Sequence, residues 1–406
     1  MSKVDAAQLG ARAEAMIKTL GAISAEPDRL VRLFLTPEHR RAADLVAGWM
    51  REAGLSVSED ALGTVRGSIG QGPRLLIGSH IDTVIDAGRY DGPLGVIAGI
   101  LAVSHFNGKP PLPIDVLAFG DEEGSRFPST LSSSAACAGA FEASSLAYAD
   151  RQGMTFAAAL AAYGKDSGAI AQAAYRPADV RGYIEVHIEQ GPRLEAQQEP
   201  LGIVTGIVGQ SRLRVTVTGE AGHAGTVPMA MRRDALAGAA EMTLLIERIG
   251  RAGDEMVATV GRLDVLPGAT NVIPANVVFT LDLRCMDDGA RASAVAHFER
   301  EARAIAAARD LGFEVETFHA VDAVPCDPRL QELLAGAVTD VGGHALRLPS
   351  GAGHDAQMMA RLCPAAMMFV RCKGGISHNP AEYASPADMG LAVAALIRFI
   401  ERFASQ

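Results

Sequence analysis

The chain has 406 residues, 49% of them hydrophobic, a formal net charge of −10 and five cysteines. Its length predicts two domains and its composition a packed globular protein, while the negative charge and the lack of Lys/Arg clusters argue against nucleic-acid binding. The scattered cysteines without a C-x-x-C pair indicate reduced thiols, and the lack of a signal-peptide core or a membrane-length apolar run favours a cytoplasmic protein.

Helical and strand-like patterns alternate along the first part of the chain. After an amphipathic N-terminal helix, we expect a helix over EHRRAADLVAGWMREAG that ends at Gly54, a buried strand over LLIGSH and a buried helix over LGVIAGILAVSHF. Two further strands, PIDVLAFGDEEG and YIEVHIEQG, run into polar residues. This order predicts an α/β fold with a mixed, mostly parallel sheet flanked by helices, in which ligands bind beyond the carboxyl ends of the strands.

A different pattern occupies residues 211–324. Four segments predict strands: RLRVTVTG, EMVATVGRLDV, NVVFTLDLRCMD and FEVETFHAV. A predicted helix follows the first of these strands and another follows the third. The resulting β-α-β-β-α-β order is that of the split βαβ sandwich. We therefore expect an α+β domain inserted into a first domain of residues 1–210 and 325–406. The last part of that first domain contains a helix, the loop LPSGAGHDAQMMA, the strand AAMMFVRC and a terminal helix.

The first polar cluster lies in GSHIDTVIDAGRYDGPLGV, where His80, Asp82 and Asp91 follow a buried strand. His80 and Asp82 are two residues apart, so on an extended segment they point the same way and the carboxylate can orient the imidazole. Asp91 lies in a glycine-flanked turn and can bridge two metal ions. Because buried charges are costly unless they are paired or bind metal, the cluster is either a metal site or a polar loop that faces water.

Three further clusters end or follow predicted strands. The acid run 121–123 follows an apolar strand, where one carboxylate can bind a metal ion and another act as general base, although acid runs are usually solvated turns. His187 lies in phase with the two glutamates of YIEVHIEQG, but a single strand histidine is more often structural. His378 in GGISHNP is a weaker signal, and His354 with Asp355 in SGAGHDA is also typical of a helix N-terminus.

Taken together, the clusters bring three histidines and two carboxylates to one edge of the predicted sheet. Such a donor set without thiolates suits zinc, manganese or cobalt. Two cations that share Asp91 would fit a two-metal hydrolase, in which the metals polarise a carbonyl and a free carboxylate takes a proton from water. Taken singly, each cluster can also be explained as an ordinary structural feature without a bound metal ion.

The chain resembles the metal-dependent amidohydrolases that include allantoate amidohydrolase, N-carbamoyl-L-amino-acid hydrolase and β-ureidopropionase, within the aminoacylase and carboxypeptidase-like metallopeptidase superfamily. The resemblance covers about residues 20–400 and rests on ordered motifs: GSHIDTV, GRYDGPLGV, DEEGSRF, YIEVHIEQGP, GHAGTVP, PGATNVIP, LDLR, SGAGHDA and GGISHNPAE. One departure is TLSSSAACAG, where relatives carry a Gly-Ser pair. The resemblance implies two divalent metal ions, with zinc first and manganese, cobalt or nickel as alternatives. It also implies that the inserted domain is a lid and a homodimer interface.

The resemblance implies a role for each metal-site residue. His80 and His187 would bind one metal ion, and Glu123 and His378 would bind the other. Asp91 would bridge the two.

The resemblance also implies the catalytic and substrate-binding residues. Glu122 would be the general base, Asp82 would orient the first histidine, and His223 would stabilise the oxyanion. Arg284 would hold a substrate carboxylate in a two-point fork. Further substrate contacts would come from Gln190, Asn271 and Gly353. Residues of the inserted domain often reach the neighbouring subunit's site in this family, although a turn or a strand end explains each of them when taken singly.

A fixed arginine and a carbonyl-polarising metal pair favour a small carboxylate with a ureido or amide group. We therefore predict an allantoate amidohydrolase that releases ammonia and carbon dioxide. N-carbamoyl-L-amino-acid hydrolase or β-ureidopropionase activity is the first alternative, and a dipeptidase or aminoacylase is the next. A non-catalytic dimeric binding module stays open, and ammonia release from allantoate would separate it from an enzyme.

Overall fold

The computed structural model describes residues 4–406. It divides into two compact units, one of Met1–Thr205 with Cys326–Gln406 and one of Gly206–Pro325. The predicted domain boundaries, at residues 210 and 325, lie close to these junctions. All five cysteines are free and buried. Within residues 4–406, no helix combines the length and the apolar character needed to cross a membrane.

The elements are numbered in chain order. The strands are β1 Ser56–Glu59, β2 Val65–Ile69, β3 Arg74–His80, β4 Ile114–Phe119, β5 Val180–Ile188, β6 Leu201–Ile207, β7 Gly209–Thr218, β8 Gly222–His223, β9 Val257–Leu266, β10 Val272–Ile273, β11 Asn276–Cys285, β12 Gly312–Val321, β13 Val324–Pro325, β14 Leu346–Ser350 and β15 Ala365–Val370. The α-helices are α1 Ala6–Gly21, α2 Pro37–Glu52, α3 Pro93–His105, α4 Ser132–Cys137, α5 Phe156–Ala162, α6 Arg193–Ala196, α7 Ala235–Ala252, α8 Asp288–Ala308, α9 Pro328–Asp340, α10 Ala356–Met359 and α11 Pro386–Ala404.

A nine-stranded sheet with the order β1-β2-β4-β3-β5-β15-β6-β13 forms the core of the larger unit, and β14 also pairs with β6. The four central strands, β4, β3, β5 and β15, pair in parallel. The pairs at both edges, β1-β2, β2-β4, β15-β6 and β6-β13, are antiparallel. The predicted α/β fold with a mixed sheet flanked by helices is confirmed. Each parallel pair needs a crossover segment, whereas among the antiparallel pairs only β1-β2 is joined by a short connection.

Helix α3 connects the parallel strands β3 and β4 and lies close to the sheet. Its N-terminus contains Pro93, whose fixed φ suits the first helical turn. A Cβ atom on Gly95 would lie 2.2 Å from the carbonyl oxygen of Val186, so only glycine permits this approach. Gly92, just before the helix, has φ 83° and a Cβ there would meet the His80 ring at 2.5 Å. The close packing therefore fixes Asp91 beside the end of β3.

The smaller unit has a four-stranded antiparallel sheet with the order β12-β7-β11-β9 and two long helices, α7 and α8. Burial alternates along β11: Val277, Phe279, Leu281 and Leu283 are buried in the core with both helices, while the residues between them are half-buried. The alternation shows that the helices cover one face of the sheet. The predicted β-α-β-β-α-β order is the observed one, and a short ribbon of β8 and β10 adds to it.

The structure also contains elements that the sequence patterns do not indicate. The predicted loop LPSGAGHDAQMMA includes the end of β14 and the short helix α10. Residues 138–179, for which we made no prediction, contain α5 and three 3-10 helices: Ala143–Ala147, Ser167–Ala173 and Pro177–Asp179. These short elements carry too few turns for a hydrophobic period to be recognised.

Candidate metal centre

The five residues predicted as metal ligands meet at the carboxyl ends of the four central parallel strands. Each comes from a different segment: His80 ends β3, Asp91 precedes α3, Glu123 follows β4, His187 lies near the end of β5 and His378 follows β15. Their ligand atoms form two groups, one of His80, Asp91 and His187 and one of Asp91, Glu123 and His378, and the atoms of each group lie within 4.8 Å of one another. Asp91 is the member common to both.

The first group consists of buried side chains whose free nitrogen atoms face one carboxylate. Nε2 of His80 lies 3.7 Å from Oδ1 of Asp91, and Nε2 of His187 lies 3.1 Å from the same oxygen. Neither Nε2 has a hydrogen-bond partner of suitable geometry. On the other side of each ring, Nδ1 of His187 lies 2.9 Å from the carbonyl oxygen of Ile188, and Nδ1 of His80 lies 3.3 Å from that of Asp82. A proton on Nδ1 satisfies these carbonyls and leaves the lone pair of Nε2 free for a metal ion.

The second group is more open to solvent. Nε2 of His378 lies 3.3 Å from Oδ2 of Asp91 and 3.6 Å from Oε2 of Glu123, and the His378 side chain is 52% exposed. Burial and the nearby charge of Asp91 raise the pKa of Glu123 to about 7. The carboxylates of Asp91 and Glu123, whose ligand atoms lie within 4.8 Å of each other, repel one another, and a bound cation would relieve that repulsion. The donor set of imidazole and carboxylate fits a divalent transition metal.

Asp82 connects the two acid-bearing loops behind the site. Its carboxylate accepts hydrogen bonds from the backbone N–H groups of Glu122 at 3.1 Å and Glu123 at 3.2 Å. Oδ1 also lies 3.4 Å from Nδ1 of His80. A single buried carboxylate thus contacts both the first histidine and the turn that carries the acids. Burial raises the pKa of the Glu122 carboxyl well above its usual range, and its Oε2 lies 4.0 Å from Nε2 of His80.

A third group of candidate donors, Glu185, His187 and His354, lies beside the first. The Glu185 carboxylate is already engaged, because it accepts hydrogen bonds from Ser79, Tyr183 and the backbone N–H of Ala356. Nε2 of His354 lies 2.8 Å from the hydroxyl of Ser350, whereas its Nδ1 has no hydrogen-bond partner among residues 4–406. The His354 ring stands edge-on to that of His187 at 4.4 Å, so this group packs against His187.

His354 and Asp355 lie at a helix N-terminus, as their structural alternative predicts, because Asp355 immediately precedes α10. Both residues are buried, at 1% and 0% exposure. Asp355 precedes α10, but its side chain makes no capping hydrogen bond. The local sequence indicates only that a helix begins here. The burial of the two residues depends on strands β5 and β15, which pack against α10.

Two of the predicted substrate-binding residues belong to the larger unit. Gln190 donates from Nε2 to Oδ2 of Asp91 at 2.8 Å and to Oγ of Ser377 at 3.2 Å, so its amide contacts the bridging carboxylate. Its backbone has φ 56°, an uncommon value for a residue with a side chain. Gly353 lies in the turn before α10, where a Cβ atom would come 3.0 Å from the side chain of Gln357.

The other predicted substrate residues lie in the smaller unit. His223 pairs with Val272 in the ribbon, and its Nδ1 accepts a hydrogen bond from the N–H of Gly225 at 3.0 Å, which leaves the proton on Nε2. The carbonyl of Asn271 accepts from the N–H of Ala224 at 3.0 Å, so Asn271 and His223 belong to one ribbon.

Arg284 lies on the half-buried face of β11. Its guanidinium donates to both carboxylate oxygens of Asp282, at 3.0 and 2.9 Å. Asp282 also accepts from Gln210 and Arg212. The pairing holds the fork of Arg284 in a fixed orientation, since a bidentate contact fixes the guanidinium plane.

Two residues near the site have contacts that the motifs did not indicate. Ser377 and Glu382 lie in the loop that carries His378, and both contact the segment of Asp91. The motif SHNPAE contains both, but a serine and a glutamate in a polar loop give no sequence signal of a partner almost three hundred residues away.

Comparison with known proteins gives full-length matches. The sequence profile of peptidase family M20/M25/M40 matches residues 76–402. Allantoate deiminase of Arabidopsis thaliana is 42% identical over 96% of this chain and 81% of the relative. N-carbamoyl-L-amino acid amidohydrolase of Geobacillus stearothermophilus is 40% identical over 97% of this chain and 98% of the relative. Among solved structures, an amidase of the hydantoinase/carbamoylase family from Burkholderia multivorans superposes with a TM-score of 0.92 at 34% identity, over 100% of this chain and 99% of that one.

Proposed function

Because the chain belongs to peptidase family M20/M25/M40, we propose that it hydrolyses the ureido group of a small carboxylate with two divalent cations, and that allantoate is its substrate. That the chain is a hydrolase of carbon–nitrogen bonds follows from relatives named as amidohydrolases that match along its whole length at 40% identity. The observation that carries the proposal is the convergence of two donor groups on Asp91.

The proposed ligands are His80, Asp91 and His187 for one cation and Asp91, Glu123 and His378 for the other. Zinc is the first candidate because imidazole and carboxylate donors suit it, and manganese, cobalt and nickel are alternatives. When bound, the two cations would polarise the scissile carbonyl and make a water molecule more acidic.

Glu122 is the proposed general base. Its carboxylate lies beside a member of each donor group, since a ligand atom of Glu122 lies within 4.8 Å of those of His80 and Glu123, and its Oε2 is 4.0 Å from Nε2 of His80. It takes a proton from the attacking water and returns it to the nitrogen that leaves. Asp82 holds the base in place, because it accepts the backbone N–H groups of Glu122 and Glu123. Addition of water to the ureido carbon and cleavage of its C–N bond yield an amine and carbamate, which decomposes to ammonia and carbon dioxide.

The proposed substrate contacts combine charge and hydrogen-bond donors. Arg284, whose guanidinium is oriented by Asp282, binds the substrate carboxylate. His223 carries its proton on Nε2 and donates to the oxyanion, since Gly225 occupies Nδ1. Asn271 lies in the same ribbon. Gln190 and Gly353 complete the proposed set.

N-carbamoyl-L-amino acids are the second candidate substrates. The Geobacillus N-carbamoyl-L-amino acid amidohydrolase is 40% identical to this chain, almost as similar as the Arabidopsis allantoate deiminase at 42%. The test is a turnover assay on the purified, metal-free protein after addition of zinc, manganese, cobalt or nickel. Ammonia release measures the hydrolysis of ureido compounds, and the release of free amino acids measures that of dipeptides. We expect the largest kcat/KM for allantoate among allantoate, N-carbamoyl amino acids and dipeptides. A larger value for a carbamoyl amino acid would replace the proposed substrate, and no turnover of any compound by metal-loaded protein would favour a binding module.

The smaller unit is proposed as a homodimer interface. Strand β9 is an edge strand of its sheet and exposes Val257 by 56% and Leu266 by 60%, and α7 exposes Leu244 by 55%. Exposed apolar side chains beside an unpaired strand edge are typical of a surface that pairs with another chain. Sedimentation equilibrium should give twice the mass of the 42.4 kDa chain. A monomer at micromolar concentration would refute this assignment.

A further inference from the structure

We propose that Glu382 and Ser377 form a clamp that sets the orientation of Asp91 and thereby the affinity of the centre for its cations. The two are positioning residues, since they act through Asp91, and the inference rests on the proposed function of the centre. Both come from the loop after β15, and the clamp joins this loop to the segment that precedes α3.

Glu382 holds the backbone of the bridging residue. It is 5% exposed, and its Oε1 accepts hydrogen bonds from the backbone N–H of Tyr90 at 2.8 Å and from that of Asp91 at 3.1 Å. The neighbouring Gly88 allows this approach, because a Cβ atom there would lie 2.3 Å from the carboxyl carbon of Glu382. Two consecutive N–H groups of a loop are thus satisfied by one side chain from a distant part of the chain.

Ser377 holds the side chain of the same residue. Its Oγ lies 2.7 Å from Oδ2 of Asp91 and 3.1 Å from Oε2 of Glu382. The shorter contact indicates that the single hydroxyl proton is donated to Asp91. Together with the hydrogen bond that Gln190 donates to the same oxygen at 2.8 Å, this bond fixes the rotation of the carboxylate, so that Oδ1 faces His80 and His187 while Oδ2 faces His378.

The orientation of Asp91 matters more than that of any other donor because both donor groups contain it. A rotation of its carboxylate would move one oxygen from each group at once. Local structure does not prevent such a rotation, since the residue lies in a loop and Gly92 after it has φ 83°. Mutation of a residue that holds a metal ligand in this way typically lowers metal affinity 10- to 100-fold.

The test measures metal binding directly, with calorimetry and with the absorption spectrum of Co²⁺ added to the metal-free protein. The variants are Glu382→Ala, Ser377→Ala and the conservative Glu382→Gln, which keeps an acceptor for the two N–H groups. A matched control is Asp60→Ala, because Asp60 also accepts two loop N–H groups, those of Leu62 at 2.8 Å and Thr64 at 3.0 Å. Asp60 is not a member of either donor group.

We expect Glu382→Ala and Ser377→Ala to weaken the binding of at least one cation by about tenfold or more and to change the Co²⁺ spectrum. Glu382→Gln should bind both cations within about threefold of the wild type, and Asp60→Ala should lower the melting temperature while keeping metal affinity. Wild-type affinity and spectrum in Ser377→Ala would overturn the clamp, even if Glu382→Ala does not fold. Failure of Glu382→Gln to restore binding lost in Glu382→Ala would also overturn it. A wild type that binds no cation would instead refute the proposed metal centre.

Discussion

The Glu122→Gln substitution separates the proposed base from the proposed ligands beside it. The change replaces one carboxylate oxygen by an amide nitrogen of nearly equal size. The Glu122 side chain is 12% exposed, and burial together with the nearby charge of Glu123 disfavours its ionised form in the metal-free protein. The neutral amide should therefore leave the free energy of unfolding within about 1 kcal/mol of the wild type, because no partner of the backbone is lost.

The effect on the reaction should be much larger than the effect on folding. A positioned general base typically contributes about 10²- to 10⁴-fold to the rate. With about 1.36 kcal/mol for each factor of ten, the activation free energy should rise by roughly 2.7 to 5.4 kcal/mol. KM and metal content should change little, since the amide keeps the volume of Glu122 and the donors of the two groups centred on Asp91 remain.

The assay combines ammonia release under saturating substrate with metal analysis of the same sample. Glu123→Gln is the matched control, because it changes the adjacent residue in the same way but removes a proposed ligand. We expect Glu122→Gln to keep two cations and lose kcat, and Glu123→Gln to lose one cation. A kcat within threefold of the wild type in Glu122→Gln, or loss of a cation from it, would refute the assignment of the base.

Asp82→Ala removes the acceptor of two part-buried backbone N–H groups, so we expect urea titration of the metal-free protein to show a loss of about 2–5 kcal/mol in the free energy of unfolding. A loss under about 1 kcal/mol would contradict a stabilising role of these bonds. Burial lowers the pKa of His39 to about 3, below about 6.5 in the unfolded chain. Because the unfolded state then binds the extra proton, stability should decrease as pH falls from about 6.5, by on the order of 1 kcal/mol per pH unit. The His39→Gln variant should lose this slope, and an equal slope would refute the cause. Arg284→Ala should raise KM for allantoate about 10- to 100-fold. Arg262→Ala, which removes an exposed arginine that pairs with Asp264 of the same strand, β9, should leave KM unchanged. Equal KM values in both would place the carboxylate contact elsewhere.

Features that depend on residues close together in the chain could be predicted from the sequence. The two-residue spacing of His80 and Asp82 places both on one side of an extended segment, and the structure brings Asp82 to 3.4 Å from the imidazole. Helix α3 is a continuous apolar run that is buried all round, and β11 of the smaller unit alternates between buried and half-buried residues, so both patterns can be recognised in the sequence. The five proposed ligands could also be predicted as candidates, because burying histidines and acids at strand ends costs free energy unless they have a partner.

Contacts between polar residues that are far apart in the chain could not be predicted in this way. Ser377 and Glu382 reach the segment of Asp91 from 286 and 291 residues away, and no local pattern encodes that contact. The same holds for the burial of Asp355 and for the contact of His354 with His187. Spacing constrains neighbours through bond geometry, but burial and desolvation arise when separate segments exclude water from one another, so they exist only in the packed chain.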